Sequence, residues 1–181
     1  FDREVDQFPP PGLDARDSWF AVELPREEKG SRLYLGAMAP GTSQTTLMVR
    51  AYSVLLQSPA QLDTDDSCRD PYWSLVGYFN SLRVLGGAKM QVFDDIPAYM
   101  EVIARRLEGE PRPVTKVIEL TSREPDAEIP DHLKELDIRL GEGPVLPLDV
   151  ILATNMISVG VDIDRLGLMA VMGQPQSASE Y

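Results

Sequence analysis

The sequence predicts an α/β fold, a parallel sheet with helices on both faces, and three observations carry that expectation. "PLDVILAT" (147–154) is almost wholly apolar, as a strand must be when both faces of its sheet are covered. Apolar runs of strand length alternate with stretches of helical spacing along the chain. Strand–helix–strand order of that kind closes by right-handed crossovers into a parallel sheet.

Each element can be justified in turn. "FPPPGLDARD" (8–17) holds three consecutive prolines, which forbid helix, so residues 1–30 read as an extended, Pro-rich arm. "RLYLGAM" (32–38) alternates Leu33, Leu35 and Ala37 with larger neighbours and reads as a strand that Pro40-Gly41 ends. "TSQTTLMVRAYSVLLQ" (42–57) places Leu47, Ala51, Val54 and Leu55 at helical spacing, with Thr42 or Ser43 as the cap and Pro59 closing the helix. Residues 60–71, with Asp63, Asp65, Asp66 and Asp70, read as an acidic, exposed connection.

The stretch 70–88 allows one helix, through Leu75, Phe79 and Leu82, or a buried strand "WSLVGYF" followed by a helix from Asn80-Ser81. Its aromatic and β-branched content, with Gly77 inside, favours the strand. Ile96, Met100, Ile103 and Leu107 mark a helix that Gly109 and Pro111 end. "VTKVIELTS" (114–122) reads as a strand. Pro130 opens a helix through Leu133, Leu136 and Leu140, ended by Gly141, and "LGLMAVMG" (166–173) is the last strand.

Composition narrows the function. A hydrophobic content of 43% and a charged content of 25% exclude wholesale disorder. No apolar run reaches the ~20 residues of a membrane helix, and neither a basic leader nor an h-region begins the chain, so a cytoplasmic protein is expected. Cys68 and His132 are single, which argues against a zinc cluster, a disulfide or a His-based triad. The net charge of −12 counts against nucleic-acid binding, which draws on phosphate neutralisation. A motor domain, however, needs only a narrow phosphate-contacting strip.

"VILATNMISVGVDIDRLGLMAVMGQP" (150–175) holds the chemistry. It reads strand, polar turn at Thr154-Asn155, tight turn at Gly160-Val161-Asp162, strand. Ligands of open parallel sheets gather at the carboxyl ends of strands, where Thr154 and Asn155 fall. Taken singly, Thr154 and Asn155 fit an ordinary strand-ending turn, Asp162 a helix cap, and Asn80-Ser81 an N-cap. Their joint order points further.

Ala-Thr, five residues, Gly-x-Asp and an apolar strand resemble motif V of superfamily-2 helicases. Within that group "ATNMISVGVDIDRLGLMAVMGQPQSASEY" resembles the large bacterial DISARM-type phage-defence helicases. "WSLVGYFNSLRVLGGA" is similar to motif IV, and "VIELTSR" to the strand and loop after it. The likeness covers about 70–181 and, in part, 31–58. It implies a RecA-like second motor domain over 31–181, ending before motif VI and its arginine finger. By that resemblance, Thr154 and Asn155 contact the phosphate backbone, Asn80, Ser81, Thr121, Ser122 and Arg123 line the strand track, and Gly160 and Asp162 face the ATP ribose. ATP and Mg²⁺ are held mainly by the first RecA-like domain of the same protein. No catalytic or metal residue is expected here. The expected partners are nucleic acid, taken to be DNA, and that first domain; no membrane is involved.

"GTSQTT" (41–46) is not a phosphate loop, because the second Gly and the Lys of a Walker A motif are missing; a helix start explains it. Arg105-Arg106 reads as a solvated helix face, and Trp19 and Trp73 as core or interface residues. Two other readings stay open. One is an acidic RecA-like docking module without motor activity. The other is a small α/β enzyme using Asp149, Asp162 or Asp164 as its carboxylates.

Overall fold

The computed structural model describes residues 13–14, 16–17, 22–25, 27–28, 30–123, 125, 128–154 and 163–173. Two compact units emerge, Phe1–Met38 and Ala39–Tyr181. In the first, the Arg16 guanidinium bonds the Asp14 carboxylate at 3.2 Å, and isolated bridges join Asp14 to Asp17 and Asp17 to Val22. Residues 32–38 are not the expected strand. Leu33, Tyr34, Leu35 and Met38 are exposed and their backbone enters no ladder. Alternation alone does not make a strand where no neighbouring strand accepts its hydrogen bonds.

The second unit runs α1 (Gln44–Gln61), α2 (Asp66–Trp73), β1 (Leu75–Phe79), α3 (Leu82–Phe93), α4 (Asp95–Arg106), β2 (Val117–Leu120), α5 (Ile129–Leu136), β3 (Val150–Ala153) and β4 (Met169–Met172). The four strands form one parallel sheet in the order β2-β3-β1-β4. This is the expected α/β architecture, consistent with a RecA-like fold; 75–79 is strand rather than helix, although Trp73 and Ser74 of the expected strand end α2 instead.

Strand alternation divides the core in two. Leu75 and Phe79 of β1 and Val150 and Leu152 of β3 meet α1, α3 and α4 on one face. Val76, Ile151 and Ala153 meet Leu136 of α5, Leu120 and Leu148 on the other. Burying one Leu- or Phe-sized side chain stabilises by about 1.5–3 kcal/mol, so these twin layers dominate the fold. Gly77 has a steric reason. A Cβ there would lie 2.5 Å from the Tyr52 hydroxyl oxygen, which α1 drives down onto the strand.

Three boundaries depart from expectation. Helix α1 is capped by Ser43, whose hydroxyl accepts the Thr46 N–H at 3.1 Å. It continues through Pro59 to Gln61, because burial of the Pro59 ring offsets its missing N–H. Its buried stripe is Met48, Tyr52 and Leu56, one step on from the expected one, and Val54 is exposed. Residues 66–70, expected as exposed connection, belong to α2. Asp65 caps that helix, and the Ser67 hydroxyl and Cys68 N–H hold the Asp65 carboxyl below the usual carboxylate range. Finally, α5 stops at Leu136, four residues before the expected end at Leu140.

Candidate functional site

In a parallel sheet all strands finish at one edge. Here Leu120 pairs with Ala153 and Ala153 with Tyr78, while Phe79 pairs with Met172. The next residues out are therefore Thr121, Thr154, Asn80 and Gly173, ordered across the sheet. Adjacent strands lie about 4.8 Å apart, so the ends of β2 and β1 flank Thr154 in a track about 10 Å wide.

Thr154 is half-buried, and its N–H donates to the Leu120 carbonyl at 3.3 Å, which fixes the backbone at the end of the ladder. Ser81 is exposed and caps α3; its hydroxyl accepts the Val84 N–H at a long 3.4 Å, leaving the oxygen weakly engaged. Asn80, also exposed, sits beside Gly173. Its side-chain nitrogen is 3.3 Å from where a Gly173 Cβ would be, and Gly173 takes φ +85°. Ser122 and Arg123 are exposed and the Arg123 guanidinium makes no ion pair among the described residues.

Thr121 does not share that exposure. It is fully buried, and its hydroxyl accepts the Arg123 N–H at 3.3 Å. The expected direct contact from Thr121 is therefore corrected: in this position it shapes the turn that presents Ser122 and Arg123. Asn155, Gly160 and Asp162 lie outside the described residues. The structure thus brings Asn80, Ser81, Ser122, Arg123 and Thr154 to one edge. Gly173 joins them, and the signal for it, a glycine closing an apolar strand before Gln-Pro, was present in the sequence.

The opposite edge holds two buried ion pairs. Asp149 immediately precedes β3; its carboxylate accepts Arg112 at 2.6 Å and the N–H groups of Thr115 and Lys116 at 2.9 Å. Arg112 also donates to the Leu56 and Trp73 carbonyls and stacks 3.7 Å above the Trp73 ring. Burial pulls the Arg112 pKa down and the Asp149 partner opposes it. Arg165 donates to both Asp70 oxygens at 3.1 Å or less, to the Leu136 carbonyl and to Ser74 Oγ, and the Leu140 N–H completes the Asp70 shell. All four charged side chains are at least nine-tenths buried.

Asp149 is consequently a structural anion with its oxygens occupied, which removes it as a catalytic carboxylate; Asp164 is exposed on a turn. Trp73 is the platform for Arg112, as a core or interface role requires. Lys89 of α3 is ion-paired to Glu119 of β2 at 2.5 Å. Among the described residues no three His, Cys, Asp or Glu side chains are grouped to hold a metal ion. The "GTSQTT" stretch is the α1 start and its Ser43 hydroxyl contacts Thr46 Oγ1 at 2.8 Å. No helix of the described residues is long and apolar enough to cross a membrane.

No protein-family model matches the chain. It is similar to DISARM protein DrmA of Bacillus paralicheniformis, with 46% identity over 181 residues that take in 98% of this chain and 16% of that protein. The chain therefore spans about one-sixth of the length of the curated relative it matches, and its relation is to a DISARM component.

Proposed function

We propose that this segment is the second RecA-like half of an ATP-dependent nucleic-acid helicase or translocase in phage defence, and that its carboxyl edge contacts the phosphate backbone of the strand being moved. The observation that carries the reading is the register. It brings hydroxyl, amide and guanidinium groups from β1, β2 and β3 to one edge, while the buried ion pairs lie at the other. Similarity to a DISARM protein along nearly the whole chain supports the same class.

Short hydroxyls, backbone N–H groups and a single guanidinium suit phosphate oxygens, which carry no sequence information; recognition here is of backbone and not of bases. A narrow track also reconciles the function with the chain's net charge of −12, since only the strip at the strand ends needs to be free of acids. In the proposal, ATP bound by the first motor domain supplies the phosphoryl chemistry and closes the two halves. Gly160 and Asp162 face its ribose, and Thr154, Asn155, Asn80, Ser81, Ser122 and Arg123 grip the strand between closures.

The test uses the complete protein. Asp162→Ala lowers strand-stimulated ATP turnover while strand affinity without nucleotide is unchanged, and the isolated 181-residue chain shows no ATPase and only weak, salt-sensitive strand binding. A complete protein whose ATPase is indifferent to nucleic acid would sink the motor reading and favour an acidic docking module.

A further inference from the structure

We propose that Thr121 is a positioning residue, whose buried hydroxyl fixes the 121–123 turn so that Arg123 meets a phosphodiester backbone already oriented. The inference rests on the reading of the carboxyl edge given above, and it assigns Thr121 a different task from strand contact.

The geometry is specific. Thr121 follows the last paired residue of β2, and its side chain is wholly inaccessible, so it touches no ligand from solvent. A buried hydroxyl without a partner is costly. This one is satisfied by the N–H of Arg123, two residues on. That bond uses the backbone of the one residue of the turn with a long cationic side chain. Arg123 itself is exposed and makes no ion pair among the described residues, unlike Lys89 and Lys134, which are tied to Glu119 and Asp131. An exposed arginine on a fixed backbone differs from one on a loose loop by the ordering needed at binding. That cost is about 0.5–1.5 kcal/mol for a rotamer-rich side chain, or roughly two- to tenfold in affinity.

The test measures strand affinity against salt concentration for the complete protein carrying Thr121→Val, Thr121→Ser, Arg123→Ala or the Thr121→Val/Arg123→Ala pair. Arg123→Ala should weaken binding and flatten the salt slope by about 0.7 for a single strand, the loss of one phosphate contact. Thr121→Val, equal in shape but without the hydroxyl, should weaken binding roughly two- to tenfold. Thr121→Ser keeps the hydroxyl and should bind like the parent. The double variant should be no weaker than Arg123→Ala, because the hydroxyl acts only through that arginine. A purely structural Thr121 would instead lower the melting temperature and leave strand affinity per folded molecule unchanged. The positioning role is overturned if Thr121→Val binds like the parent while Arg123→Ala does not, or if the two losses multiply. It is equally overturned if Thr121→Ser binds as weakly as Arg123→Ala, an arm that holds even if the valine variant fails to fold. Should Arg123→Ala itself leave affinity and slope unchanged, the strand reading of this edge fails, and Thr121 has nothing to position.

Discussion

At the amino edge of the sheet, Arg112 and Arg165 are buried against Asp149 and Asp70, and their guanidinium groups also bond main-chain carbonyls from α1, α2 and α5. At the carboxyl edge, Asn80, Ser81, Ser122 and Arg123 face solvent, held by weak caps and turns. One edge spends its charges inward, on the chain itself. The other leaves its polar side chains exposed. In a doubly covered parallel sheet the two ends of the strands are free to specialise, and this contrast separates residues that hold the fold from residues that can meet a ligand.

The sharpest way to break the contrast is to remove one buried anion. Asp149→Ala or Asp70→Ala leaves a guanidinium desolvated without its partner, at a cost of about 3–5 kcal/mol. Melting should fall by roughly 6–20 °C, while strand affinity per folded molecule is unchanged. If melting holds but affinity falls, the amino edge is not the structural one.

A smaller effect is expected in the centre of the sheet, between the two edges. Gly77→Ala pushes a methyl against Tyr52 Oη and should cost about 1–3 kcal/mol. Tyr52→Phe removes a buried hydroxyl that has no hydrogen-bond partner in the structure, so it should be neutral or mildly stabilising and should recover part of the Gly77→Ala loss. A Tyr52→Phe protein less stable by more than about 1 kcal/mol would mean the hydroxyl has a partner after all. Burial raises the Tyr52 pKa well above its ordinary value of 10. Its neutral form is thus favoured in the fold, and that contribution is complete below about pH 10 and lost as alkali ionises the unfolded chain. Thermal melts at pH 9 and pH 11 should therefore diverge less for Tyr52→Phe than for the parent.

The smallest effect belongs to the carboxyl edge. Thr154→Ala removes one neutral hydrogen bond of about 0.5–1.5 kcal/mol, so strand affinity should drop up to roughly tenfold. Stability should shift by no more than about 0.5 kcal/mol. Unfolding with unchanged affinity in the folded fraction would return Thr154 to the role of a turn residue.

Much of this architecture was legible in the residues. The strands at 75–79, 117–120, 150–153 and 169–172 fall inside the expected runs, because strands covered on both faces must be apolar and so announce themselves. Ser43 and Ser81 as caps were equally readable. What periodicity missed was decided by partners distant in sequence. Asp70 looked like one more exposed acid until Arg165, 95 residues away, drew it inside. Residues 32–38 had the alternation of a strand but found no ladder. Thr121 carried the residue type of a phosphate ligand, and only its burial revealed a turn-forming task. The site was legible as a set of strand ends, and the division of labour within it was not.

The strand order also governs how this segment comes into being. The first strand does not pair with the next one in sequence: β1 pairs with β3 and β4, while β2 pairs only with β3 among the described strands. Until Val150–Ala153 has left the ribosome, neither "LVGYF" nor "VIEL" has an edge to bond, and both remain apolar segments of high strand propensity without a sheet. Non-local pairing of this kind slows folding and lengthens exposure to aggregation. Helices α1, α3 and α4, which contact one another ahead of β3 in the chain, are the elements able to shield β1 during synthesis. Truncations ending before residue 150 should therefore yield insoluble chain, and those ending after 173 should not.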